Sequence, residues 1–155
     1  MGVPGQGRGR DRESRQAAVI GDLAGATGGH LTPFLRAEQA SGMTASDASE
    51  ADFAVIVYPG YLALSEQGMA PNPEIHVTSQ TPPSFIVQAE DDPVHVENST
   101  VYFLALKNAN VPAELHLYAK GGHGYGLRPT DLPVTAWPKL AETWLQTIRA
   151  IPATP

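Results

Sequence analysis

Three clusters of polar side chains and glycines in this sequence have residue types suited to chemistry. Glu90-Asp91-Asp92 is an acidic triplet, Lys120-Gly-Gly-His-Gly-Tyr-Gly126 sets one histidine among glycines, and Gly25-Ala-Thr-Gly-Gly-His30 combines a hydroxyl with a glycine-rich turn. A carboxylate that accepts one imidazole N–H fixes the tautomer and orientation of the ring. The other ring nitrogen is then available to take a proton from a hydroxyl. An acid of the triplet with His123 is therefore a candidate acid–base pair, and the glycines around His123 let a loop carry the ring over a sheet edge. Cys is absent, which excludes thiol nucleophiles, disulfides and zinc–cysteine sites. His76 and His95 lie near Pro and acids without the convergent spacing a metal needs, so neither a metal nor a cofactor is expected. His116 alternates with Leu115 and Leu117 and reads as a strand residue at the surface or packed.

Loops of this kind need a scaffold, and the apolar pattern supplies one. Ala17–Leu23 is a short apolar run followed by the small-residue turn, then by Leu31, Phe34 and Leu35 at helical spacing; this predicts strand, turn, helix. Phe53–Tyr58 is continuously apolar and ends at Pro59-Gly60, as a strand buried on both faces would. Ser84–Gln88 predicts a further strand, Glu97–Asn108 a helix, Ala113–Tyr118 another strand, and a last helix runs from about Val134 to Ala150. Trp137 and Trp144 share a face of that last helix and are expected in the core. The long Pro- and Gly-containing excursion over residues 60–83 is of the kind that often serves function. Alternating strands and helices imply an α/β domain with a mostly parallel sheet of about four strands flanked by helices.

Length and composition narrow the alternatives. The chain has 155 residues, 42% of them hydrophobic, which suits one globular domain. Its formal charge of −6 argues against a nucleic-acid partner, because polyanion binding relies on Lys and Arg neutralising phosphates. No apolar run is long enough to span a membrane. No secretory signal is visible, so the default expectation is cytoplasmic. Residues 1–16 are rich in Arg and Gly and predict a flexible arm ahead of a domain over residues 17–155.

Asp52–Pro59, Thr81–Val94, Val111–Gly126 and Trp137–Leu145 together resemble the C-terminal half of α/β-hydrolase esterases, in the branch of acetyl esterases, xylan esterases and related carboxylesterases. The resemblance implies a partial α/β-hydrolase fold in which the family's N-terminal strands are missing. It implies a small ester substrate, with Asp91, which fits an Asp-x-x-Val pattern with Val94, as triad acid, Asp92 as neighbouring alternative and His123 as base. It also implies a nucleophile in a Gly-x-Ser-x-Gly elbow after the first strand. An ungapped match puts Ala26, which cannot attack, at that position, so weak or impaired activity is expected; a one-residue shift gives Gly25-Ala-Thr-Gly-Gly29 with Thr27 as nucleophile. Ser65, Ser79 and Ser99 follow no such elbow pattern. His30 then reads as a packing residue beside the elbow, and Tyr58, Tyr61 and Tyr125 as lining of an acyl or alcohol pocket. Without the family's His-Gly-Gly loop one oxyanion donor is lost, which implies a rate lower by roughly 10²–10³. With its neighbours missing, the Val19–Leu23 strand would be an open edge, which predicts a homo-oligomer paired through it. The alternative expectation is a non-catalytic oligomerisation or binding module built on the same half-fold.

Overall fold

The computed structural model describes residues 17–20 and 52–153. Residues 1–16, Gly21–Leu23 and the turn holding Gly25, Ala26, Thr27 and His30 lie outside the described residues, as does the expected helix after it.

Among the described residues four strands, β1 (Ala17–Ile20), β2 (Phe53–Val57), β5 (Ser84–Ala89) and β6 (Ala113–Tyr118), form one sheet in the order β1-β2-β5-β6. Every neighbouring pair is parallel. Among the described residues two helices, α1 (Glu97–Asn108) and α2 (Trp137–Thr147), accompany it, and a 3-10 turn over Pro133–Ala136 leads into α2. The expected last helix is therefore a tight turn followed by a shorter α-helix, with Pro138 in its first turn, where a missing N–H costs nothing. The excursion after β2 contains a small antiparallel pair, β3 (Ala63–Leu64) with β4 (Ala70–Pro71). Among the described residues, no helix is long and apolar enough to cross a membrane.

The continuous apolarity of β2 and β5 has a direct structural meaning. Successive strand residues point to opposite faces, so an unbroken apolar run supplies two cores at once. Phe53, Val55, Val57, Phe85, Val87 and Ala89 pack with Trp137, Ala141, Trp144 and Leu145 of α2. Ala54, Ile56 and Ile86 pack on the other face with Leu106 of α1 and Val111. Trp144 meets Phe53 edge-on at 6.4 Å and Phe85 at 5.8 Å between ring centroids, so both tryptophans of α2 are core residues. The indole N–H of Trp137 donates to the Gly126 carbonyl at 2.8 Å, which ties α2 to the loop bearing His123.

Candidate active site

β5 and β6 are adjacent and in register, with Ala89 opposite Tyr118, so the loops that follow them start side by side at the carboxyl edge of the sheet. Ligand and catalytic groups of parallel sheets collect at this edge. The first loop is a tight turn in which Asp92 N–H donates to Ala89 C=O at 3.3 Å and Val94 N–H donates to Asp92 Oδ1 at 2.8 Å. This turn aims the Asp92 carboxylate back over the end of β5. The second loop approaches β5 closely: a Cβ on Gly121 would lie 2.9 Å from that of Ala89, and Gly122 has φ +63°. Glycine is required at the first for space and favoured at the second for its left-handed backbone.

The two loops bring together His123 and Asp92. Nδ1 of His123 lies 3.0 Å from Oδ1 and 2.9 Å from Oδ2 of Asp92. The expected pairing with Asp91 is thereby corrected by one residue: Asp91 Oδ1 accepts the N–H groups of Gly121 (2.9 Å) and Gly122 (2.7 Å) and does not meet the imidazole. The physical reason is the turn at Asp92, which faces the two adjacent carboxylates in different directions. Asp92 is wholly shielded at its side chain, whereas that of His123 is 35% exposed, so the pair has one protected and one accessible end.

Hydrogen bonding around Asp92 favours one tautomer of His123. Oδ1 accepts Val94 N–H and Oδ2 accepts Gln88 Nε2–H at 3.0 Å. A carboxylate engaged this way faces the ring as an acceptor, so the neutral tautomer that suits the contact is the one with the proton on Nδ1 and the lone pair on Nε2. Gln88 is held in turn: Ser99 Oγ–H donates to its Oε1 at 2.6 Å, and its Nε2 also faces Pro59 C=O and His95 C=O. Asn98 clamps the neighbourhood. Its Nδ2 donates to Val94 and His95 carbonyls, and its Oδ1 accepts the N–H groups of Leu62 and Ala63 in the excursion. Gln88, Asn98 and Ser99 were not singled out for this role from the sequence, although a buried Gln in an otherwise apolar strand is a signal, since buried amides need partners.

Aromatic side chains close one side of the imidazole. Tyr58 sits edge-on to His123 at 4.7 Å and to Tyr125 at 4.8 Å between centroids. Tyr58 is buried and has φ +40°, a strained backbone for a bulky residue, at the end of β2. Burial, then the nearby Tyr58 and Asp92, push the Tyr125 phenol well above its ordinary pKa, so it remains neutral. Tyr61 differs from its two companions: its ring is 89% exposed and stands in solvent. His76 and His95 are exposed, and no group of three or more potential metal ligands converges among the described residues. His116 pairs with Glu114 at 2.7 Å on β6 and lies against Phe85, so it belongs to the sheet.

Comparison with known proteins bears on the fold. No family profile and no curated protein matches the sequence. Solved structures do. An acetyl ester-xyloside bifunctional hydrolase from Caldicellulosiruptor lactoaceticus is 37% identical over 65% of this chain and 44% of its own, with a TM-score of 0.57. A sugar hydrolase from Lactococcus lactis is 30% identical over 64% of this chain and 49% of its own, with a TM-score of 0.52. An alpha/beta hydrolase enzyme from a Medee basin deep-sea metagenome library, 24% identical, covers 87% of this chain and 55% of its own at a TM-score of 0.59, a likeness of fold. The chain thus spans about half the length of the structures it matches.

Proposed function

This chain carries part of an α/β-hydrolase fold like that of the ester and sugar hydrolases it matches, and from that premise we propose that it holds the acid–base half of a carboxylic ester hydrolase acting on short-chain or acetyl esters. The observation that carries the reading is the buried Asp92 carboxylate bonded to Nδ1 of a half-exposed His123. Asp92 orients the ring and stabilises the imidazolium; His123 Nε2 is the base. In the first step a hydroxyl oxygen attacks the ester carbonyl while Nε2 takes its proton. The tetrahedral oxyanion then collapses, the C–O bond to the alcohol breaks, and Nε2–H protonates the leaving oxygen. Water, deprotonated by the same nitrogen, releases the acid and restores the hydroxyl.

The hydroxyl belongs, in this reading, to the segment after β1. β1 runs parallel to β2 and its carboxyl end lies on the same edge of the sheet as His123. Thr27 carries a hydroxyl there and Ala26 carries none. Hydrolysis of a short-chain activated ester by the unaltered chain and by His123→Ala tests the proposal. Turnover is expected in the first and only background in the second; equal rates in both overturn it. Ala26→Ser is expected to raise the rate if the ungapped alignment is the right one, and Thr27→Ala to abolish it if Thr27 attacks.

A second reading, a homo-oligomerisation or binding module, is favoured by one observation: among the described residues β1 ends the sheet, with β2 as its partner. A strand edge of this kind can pair with a second copy of the chain.

A further inference from the structure

Asp91 and Asp92 are neighbours in the chain with separate partners, and the partners of Asp91 are unusual. One oxygen, Oδ1, receives two successive backbone N–H groups, from Gly121 at 2.9 Å and Gly122 at 2.7 Å. These glycines immediately precede His123. Successive N–H groups that converge on one anion form a small concavity with a fixed partial positive charge, and bonds from it to a carboxylate are of the stronger, charge-assisted kind. The Lys120 ammonium stands 3.7 Å from Oδ2. Asp92, the adjacent acid, is turned into the interior toward His123, and Glu90 is exposed.

We propose that Asp91 is a positioning residue that latches the His123 loop to the turn after β5, so that the two adjacent acids hold the same histidine by different means, Asp92 through its ring and Asp91 through its backbone. The functional meaning of the latch rests on the reading of His123 as a base, but its existence does not. The geometry explains why a loop with left-handed glycines at 122, 124 and 126 can keep one ring position. Such a loop has many backbone states open to it, and the two bonds to Asp91 select the one in which Nδ1 meets Asp92. They also account for the electrostatics: the Gly122 N–H above all, with the Gly121 N–H and Lys120, outweighs desolvation and holds the Asp91 carboxyl below the usual carboxylate range. Because the folded pKa is lowered, the latch has its full charge-assisted strength above the ordinary Asp value of about 3.9 and weakens as the pH falls through the lowered value.

Amide spectra of the isotopically labelled chain test this without reference to hydrolysis. In Asp91→Ala the Gly121 and Gly122 amide protons are expected to move upfield and to exchange roughly tenfold faster or more, and the His123 ring signals to shift. Asp91→Asn, whose neutral amide oxygen still accepts both bonds but without the charge assistance, is expected to restore part of each. In the unaltered chain the same two amides are expected to titrate together in acid with a midpoint below the ordinary Asp range. Unmoved glycine amides in Asp91→Ala, unmoved His123 ring signals there, or the absence of that acid titration overturns the proposal; if Asp91→Ala does not fold, the titration of the unaltered chain decides. A chain that shows the latch but hydrolyses no ester overturns the functional reading alone.

Discussion

At the scale of single residues, the informative fact is that two adjacent aspartates are not equivalent. Each is followed by residues compatible with a turn, and a pattern that counts forward to Val94 selects Asp91. Folding selects otherwise, because the Val94 N–H bonds the Asp92 side chain and Gln88 supplies a second donor to it from inside the sheet. Asp92→Asn therefore keeps size and position while presenting an amide that does not hold the Nδ1–H tautomer as a carboxylate does. The expected outcome is a loss of ester turnover approaching roughly 10⁴-fold with the fold retained, measured as kcat on a short-chain activated ester beside a circular dichroism spectrum. A rate within a factor of a few of the unaltered chain would remove Asp92 from the mechanism. The His123 position, by contrast, was legible in the sequence: glycine on both sides of one histidine announces a backbone that must bend in ways other residues resist.

At the scale of elements, continuous apolar runs identified β2 and β5, and the bounds of α1 and β6 agree with the periodic pattern. The start of α2 was harder to read, since Pro133 and Pro138 allow either a tight turn or a helix start, and packing of Val134 and Trp137 decides between them. α2 does more than cover the sheet. Trp144 lies against Phe53 and Phe85, and Trp137 holds the Gly126 carbonyl, so one helix supports both the core and the histidine loop. Trp144→Ala removes a buried ring from between two aromatic neighbours and is expected to cost about 3–5 kcal/mol, read as a lowered midpoint of urea unfolding. A change below about 1 kcal/mol would mean that the face collapses around the gap. The excursion after β2 is secured in a comparable way, by Asn98 bridging α1, the Asp92 turn and β3.

At the scale of the whole molecule, the question is what lies beside β1. Among the described residues its ladder runs to β2 on one side. A parallel strand normally sits buried between neighbours, so an open edge is a site for pairing. If the second copy of the chain fills it, sedimentation analysis is expected to show a dimer that dissociates on dilution. A monomer across the whole concentration range would dismiss self-association through this edge.

The amino-acid sequence by itself determined the α/β character, strands β2, β5 and β6, helix α1, the existence of α2, the two-faced core and the candidate groups at the strand ends, because these follow from local periodicity and from what glycine and proline permit. Only the tertiary structure decided which carboxylate meets His123 and what its neighbour does instead. That choice turns on a rotation of one residue within a turn, and it depends on donors, Gln88 and the Gly121 and Gly122 N–H groups, that no reading of adjacent residues brings together.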